Sequence, residues 1–252
     1  MSPPLFLTAL DADARRLAHD VRVAHPFRRE PVVGADAALR CLHELADTLD
    51  AELDVHLRFD GDAGIAAAWR CGPAGRAIDG VTLALTNAAG EIAELRIAVR
   101  PLPFVAPWRA RFERVTALPR DADARDSVPR DAAAPVQRRL PFPLSDDVAF
   151  HGPAFVKPVR GVDAVSHVLG YASAVYGECD YGPALRNGAH FLRAFTSKQL
   201  PLEIVSIAHL DAGDRIDEWT AYMQPWDNMV LFRERLRAHL GDYLDASYYG
   251  AS

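Results

Sequence analysis

The sequence contains little that would bind nucleic acid, span a membrane or form disulfides. It has 34 acidic and 28 basic residues, and no run of lysine or arginine would attract phosphates. No apolar stretch approaches the ~18 residues that a membrane-spanning helix needs. The three cysteines are an odd number and lie far apart, which indicates buried thiols in a reducing compartment. We therefore expect a cytoplasmic protein with no nucleic-acid or membrane partner.

Common catalytic motifs are also missing. The chain has no glycine-rich phosphate-binding loop, no Gly-x-Ser-x-Gly and no His-Glu-x-x-His. Its nine histidines show no metal-ligand spacing. We expect neither a metal ion nor a cofactor.

What the chain does contain is an internal repeat. The segment VVGADAALRCLHELADTL is followed 127 residues later by VRGVDAVSHVLGYASAVY, so that Gly34 matches Gly161. The second copy then loses three residues, and the offset becomes 124. Later matched pairs are Asp79 and Glu203, Ile92 and Ile216, Glu94 and Glu218, and Pro101 and Pro225. Matches of turns and element ends at one offset indicate that one domain has been duplicated.

A proline-rich segment separates the two copies. Residues 116–145 contain five prolines and alternating charges without a sustained apolar period, which is typical of a linker. This composition predicts a first domain at residues 1–115 and a linker at residues 116–145. The second domain and a C-terminal tail then occupy residues 146–252.

The sequence of each copy predicts the same series of secondary-structure elements. A short strand ends at a proline and is followed by an amphipathic helix, four strands and a closing helix. Asp60-Gly61 and Asn187-Gly188 suit tight hairpins, since both central residues of the favoured turn need positive φ. Asp36 and Asp163 fall in the first turn of a helix, where a carboxylate meets the positive end of the dipole. The fold class is therefore α+β, with a largely antiparallel sheet.

The order of these motifs resembles a known superfamily. In the second copy DDVAFHGP, VRGVDAV and LDAGDRIDEW follow one another, and HDVRVAHP, VVGADAA and TNAAGEIAELRIAVRPL do so in the first. Both series are similar to the SnoaL-like branch of the nuclear transport factor 2-like superfamily, which includes ketosteroid isomerase. The resemblance implies two tandem cone-shaped α+β barrels, each a bent, mostly antiparallel sheet wrapped around helices. It also implies a deep apolar cavity for a small apolar ligand.

The repeat singles out two carboxylates as catalytic candidates. Asp79 shares strand parity with Val81 and Leu83, and Glu203 shares it with the corresponding residues of its own strand. A carboxylate at the head of an apolar face that folds over the cavity would have its pKa raised by desolvation, which suits a general acid or base. The alternative is that both acids lie at the rim of the sheet, solvated or paired with an arginine such as Arg70 or Arg76.

Five further side chains are candidates for ligand contact. Large rings on an inner strand face could line a cavity, although such rings more often belong to a packed core. One histidine lies at the end of the first strand in each copy, and a third histidine shares the strand face of Glu203. The candidates are His25, Trp69, His151, His209 and Trp219.

Three functions stay open at this point. The first is an isomerase, dehydratase or cyclase that uses carboxylate acid–base catalysis. The second is a module that binds a small apolar ligand without transforming it, and the third is an assembly scaffold. Because single-domain relatives often dimerise through their sheets, we expect the two copies to form an intramolecular pseudo-dimer, with further homo-oligomerisation open.

Overall fold

The computed structural model describes residues 5–12, 16–49, 51–116 and 140–250. In these residues the same order of elements occurs twice. A short helix α1 (Leu5–Ala9) precedes the first copy, which comprises β1 (Leu17–Ala24), β2 (Val32–Val33), α2 (Ala35–Leu49), β3 (Asp54–Gly61), β4 (Gly64–Cys71), β5 (Ile78–Thr86), β6 (Ile92–Arg100) and α3 (Leu102–Thr116). The second copy comprises β7 (Leu144–His151), β8 (Val159–Arg160), α4 (Val162–Tyr176), β9 (Cys179–Asn187), β10 (His190–Ser197), β11 (Glu203–Leu210), β12 (Ile216–Gln224) and α5 (Trp226–Leu240), and a 3₁₀ helix follows at Ala246–Tyr249.

The matched glycines mark the start of α2 and α4. Gly34 has φ 97° and Gly161 has φ 88°, a region that side chains with a Cβ rarely adopt. Each glycine carbonyl accepts the first hydrogen bond of its helix, from the N–H of Ala38 at 2.8 Å and of Val165 at 3.0 Å. The glycine therefore turns the chain from the preceding strand into the helix in both copies.

The strands form one continuous sheet in the order β3-β4-β5-β6-β12-β11-β10-β9. Neighbours within each copy are antiparallel, whereas β1 joins β6 and β7 joins β12 in parallel. The two halves meet where Val99 of β6 pairs with Met223 of β12. The predicted fold class, two tandem α+β domains with mostly antiparallel sheets, is confirmed.

The boundary between the copies differs in detail from the prediction. The composition predicts Leu144 and Ser145 within the linker, but both belong to β7, which is paired with β12 from Leu144 onward. Residues 117–139, the greater part of the predicted linker, lie outside the described residues. None of the helices in the described ranges is long and apolar enough to cross a membrane.

Each copy contributes one half of this sheet, and each half has buried residues on both faces. The inner face packs on the helices of its own copy, whereas the outer face packs on the outer face of the other copy. We call this second set of residues the inter-copy cluster. It comprises Phe59, Ala66, Ala68, Val81, Leu83, Ala98, Leu185, Leu192, Ala194, Val205, Ile207 and Tyr222.

Contacts between the copies are reciprocal. The N–H of Leu102 donates to the carbonyl of Pro153 at 2.9 Å, and the N–H of Trp226 donates to the carbonyl of Pro26 at 2.6 Å. The two bonds join positions that the repeat makes equivalent, so the same patch is used on both sides, as in an isologous interface. The Nδ2 atom of Asn187 also donates to the carbonyl of Arg58 at 2.7 Å.

Aromatic rings fill the interior of the first copy. Trp69 and Trp108 are fully buried, and Phe6 lies between them with ring centroids 5.8 and 6.3 Å away. The indole Nε1 of Trp69 donates to Thr82 Oγ1 at 3.0 Å, which satisfies its polar group inside the core. Trp69 is therefore a core residue of the first copy.

His25 is buried in this same core. Its Nδ1 accepts a hydrogen bond from the N–H of Phe27 at 3.3 Å, whereas its Nε2 is buried without a partner among the described residues. Burial, assisted by the positive charge of Arg28, lowers the pKa of His25 from 6.5 to about 3. The imidazole is therefore neutral in the folded protein.

This lowered pKa predicts a loss of stability in acid. Because the unfolded chain binds a proton at His25 below pH 6.5 and the folded chain does so only near pH 3, the free energy of unfolding falls as pH drops through this window. We expect His25→Gln to remove this part of the pH dependence, on the order of 3 kcal/mol between pH 6.5 and 4. Urea denaturation at a series of pH values measures it.

The matched control is His56→Gln, because His56 lies in β3 with an exposed side chain. We expect this variant to keep the pH dependence of the wild type. If the free energy of unfolding of His25→Gln falls with pH as steeply as that of the wild type and of His56→Gln, burial of neutral His25 does not contribute to acid sensitivity.

Candidate functional site

The second copy contains a cavity of about 250 Å³. It lies between α4 and the inner face of β10, β11 and β12. Its wall is mainly apolar and includes Leu144, Leu169, Phe191, Phe195, Ile216 and Trp219. A smaller space of about 30 Å³ shares Leu169, Phe195 and Trp219 and extends to Phe232 and Leu236 of α5. The second copy thus retains the interior space that rings occupy in the first copy.

Strand alternation decides which side chains reach this cavity. Phe191, Arg193 and Phe195 of β10 point inward, since successive side chains alternate between the two faces. On β11 the inward residues are Ser206 and Ala208. Arg193 is not among the residues predicted from the sequence to contact a ligand, although its position between two phenylalanines in HFLRAF places it on the same strand face as both.

Arg193 is the charged residue of the cavity wall in the part of the chain that the structure describes. Its guanidinium carbon lies 5.0 Å from the centroid of the Tyr181 ring. Its Nε atom is buried and has no hydrogen-bond partner among the described residues, and the same is true of Nε1 of Trp219. Ser206 donates its hydroxyl to the backbone carbonyl of Arg193 at 3.3 Å.

Asp79 is not among the residues that line this cavity, and its carboxylate forms two ion pairs instead. One carboxylate oxygen, Oδ1, lies 2.6 Å from Nε of Arg70, and the other, Oδ2, lies 2.6 Å from Nη1 of Arg100. The side chains of Asp79 and Arg100 are only 10% and 6% exposed. Arg100 also reaches the other copy, since its Nη2 donates to the carbonyl of Phe155 at 3.4 Å.

Glu203 occupies the equivalent place in the second copy. Its Oε2 accepts a hydrogen bond from Nε2 of Gln224 at 2.8 Å and lies 3.7 Å from Nε of Arg96 in the first copy. Where the first copy has an arginine beside its carboxylate, the second copy therefore has a neutral amide, and the arginine comes from across the interface.

The expectation that these two carboxylates fold over the cavity is wrong. Asp79 does share a face with Val81 and Leu83, as strand parity indicated, but that face packs against the other copy. The sequence could not separate an apolar inner face from an apolar interface. Pairing with Arg70 was the alternative left open for Asp79, and the structure has that contact. A catalytic role for Asp79 or Glu203 stays a prediction.

The five ligand-contact candidates lie in different places. Trp219 lines the cavity, whereas His25 and Trp69 are buried in the core of the first copy. His151 and His209 lie on the outer face of the second copy, where His151 Nε2 is 3.2 Å from Glu218 and His209 Nδ1 is 2.6 Å from Asp217. The structure does not bring these five residues together.

Comparison with solved structures finds similar folds in several bacterial proteins. An uncharacterized protein with a cystatin-like fold from Silicibacter pomeroyi is 27% identical, with a TM-score of 0.37, and the alignment covers 38% of this chain and 70% of that one. A steroid delta-isomerase from Pseudomonas aeruginosa is 22% identical, with a TM-score of 0.38 and coverage of 40% and 76%. A nuclear transport factor 2-like protein of unknown function from Cytophaga hutchinsonii is 19% identical, with a TM-score of 0.30 and coverage of 39% and 87%.

Comparisons with protein-family models and with curated proteins found no match. Each copy has the strand, helix, four-stranded meander and closing helix that the resemblance to the nuclear transport factor 2-like superfamily implied. That prediction of the fold is confirmed. Similarity at these levels extends to the fold and carries no statement about ligand or reaction.

Because the Asp79–Arg100 pair is buried, removing the charge of Asp79 should lower the stability of the folded protein. Asp79→Asn leaves the guanidinium of Arg100 buried at the interface without a full counter-charge, and we expect the free energy of unfolding to fall by about 3 kcal/mol. Denaturation in urea measures the change. In the double variant Asp79→Leu/Arg100→Met both charges are absent, and much of the stability should return.

A matched control for this prediction is Asp146→Asn. Asp146 pairs with Arg215 at 2.9 Å, but its side chain is 92% exposed, so solvent screens the pair and stability should change little. If Asp79→Asn were no more destabilising than Asp146→Asn, the buried ion pair would not contribute to the interface as the geometry suggests.

Proposed function

We propose that this protein binds a small apolar molecule in the cavity of its second copy. The observation that supports the proposal most directly is the cavity of about 250 Å³ lined mainly by apolar and aromatic side chains. Sites for small molecules are concave and mostly apolar, with a few polar groups that orient the ligand. Arg193 and Ser206 would be those polar groups in this cavity.

In this proposal the first copy has a structural role. Its inner face is packed by Trp69, and Gly80 on the neighbouring strand lies directly under that ring. A Cβ at Gly80 would fall within the indole of Trp69. The glycine therefore makes room for the indole of Trp69, which occupies the inner face of the first copy at this point. The first copy would instead cover the outer sheet face of the second copy.

The reciprocal contacts support an intramolecular pseudo-dimer as part of the same proposal. Hydrogen bonds at equivalent positions and the Val99–Met223 strand pair join the two copies, and the inter-copy cluster joins their outer faces. A covalent link between two copies raises the effective concentration of the partner surface, so this interface forms without a second chain.

Acid–base catalysis has less support than binding. A general acid or base must lie within hydrogen-bond reach of the substrate. Among the described residues that line the cavity there is no aspartate, glutamate or histidine, and the predicted carboxylates lie on the opposite face of the sheet. An isomerase-like reaction would need an acid–base group other than these.

Filling the cavity tests the proposal. Ala208 lines the cavity on β11, and the repeat makes it equivalent to Ala84, which is fully buried in the packed first copy. We expect Ala208→Phe to change stability by less than about 1 kcal/mol, because the added ring enters open space. In the first copy Ala84→Phe should destabilise the protein by about 1–3 kcal/mol through overpacking.

The same pair of variants reports on binding. Octanol, titrated by calorimetry, serves as a neutral apolar probe that the wild type should bind and Ala208→Phe should not. The matched Ala84→Phe variant, where it folds, should retain the wild-type affinity. Equal octanol binding by wild type and Ala208→Phe would place the bound molecule elsewhere and contradict the proposal.

A further inference from the structure

We infer that the ligand of the second copy is an apolar monocarboxylate whose acid group binds Arg193. The inference rests on the proposed function and adds the chemical class of the ligand. Arg193 is the charged residue that lines the cavity, and the described lining residues include no acidic side chain. The cavity wall thus carries one positive charge in otherwise uncharged and mainly apolar surroundings.

The wall also has donors that lack acceptors. Nε of Arg193 and Nε1 of Trp219 are both buried without a hydrogen-bond partner among the described residues, and Arg193 forms no ion pair with any of them. A buried donor without an acceptor is costly, and a charged one is more so. A ligand that brings acceptor oxygens would therefore be favoured over one that is purely apolar.

The surroundings of Arg193 suit a planar acceptor. The contact with the Tyr181 ring engages the charge of the guanidinium but none of its N–H groups. Those N–H groups form a fixed planar fork that matches the two oxygens of a carboxylate. Phe191 and Phe195 flank Arg193 on the same strand face and would contact the apolar body of the ligand.

Charge balance favours a carboxylate over a phosphate. One guanidinium neutralises one negative charge, so a carboxylate gives a neutral pair inside the cavity. A phosphate dianion would leave a second negative charge without a partner in apolar surroundings, which is strongly unfavourable. The apolar remainder of the wall requires that the rest of the ligand be hydrocarbon-like.

A matched pair of probes tests the inference on the intact protein. Octanoate and octanol have the same chain and differ in the acid group. We expect octanoate to bind about 10- to 100-fold more tightly than octanol at neutral pH, measured by calorimetry. In Arg193→Met, which keeps the length of the stem, octanoate should lose that advantage while octanol affinity stays within about threefold.

Controls separate this inference from the proposed function. Arg186→Met removes an exposed arginine of the neighbouring strand and should leave both affinities unchanged. Equal affinity of the wild type for octanoate and octanol would overturn the assignment of a carboxylate while leaving the apolar binding site. Absence of binding by both probes would overturn the proposed function and the inference together. Because the first comparison uses the wild type, it holds even if Arg193→Met does not fold.

Discussion

The packing of the outer faces of the two halves of the sheet through the inter-copy cluster is the constraint on which the rest of the structure depends. Val81 and Leu83 in the first copy, and Val205 and Ile207 in the second, are all buried in this cluster. Either half of the sheet alone would expose a contiguous apolar face, which soluble proteins rarely do. The two copies therefore complete each other, and neither outer face is available for a ligand.

Burial of the outer faces also explains why the two carboxylates have charged or polar partners. Asp79 and Glu203 lie at equivalent positions on the outer faces, where burial requires each charge to have a partner. The first copy supplies Arg100 on the neighbouring strand, whereas the second copy has Gln224 at that position and draws on Arg96 of the first. The two copies thus differ in how they neutralise the carboxylate at this position.

Local signals explain what the sequence could predict. The repeat and the helix starts depend on short patterns such as Gly34, and the structure has the helix start there. The first hairpin turns two residues later than predicted, at residues 62–63, and Asp60 and Gly61 are paired strand residues without positive φ. The direction of a strand face is not local. In β5 both alternating sets of residues are buried, so alternation alone could not tell which set faced the helices. Arg193 is not predicted to line the cavity, because an arginine within a strand is usually expected to face solvent.

The two interiors differ because of a few large side chains. Trp69 in β4 lies over Gly80, whereas the second copy has Phe195 and Ile204 at the equivalent places. The first copy also receives Phe6 from α1, whose ring packs on both Trp69 and Trp108. These rings fill the space that the second copy leaves as a cavity beside Trp219.

The difference between the packed interior of the first copy and the cavity of the second copy bears on function. Protein interiors normally pack at the density of organic crystals, and the first copy shows that this fold can reach a filled core. The second copy keeps an apolar cavity with a positive charge in its wall. It therefore lacks packing contacts that the first copy makes in its interior. Binding of a ligand that supplies both the missing apolar contact and the missing acceptor would account for that arrangement.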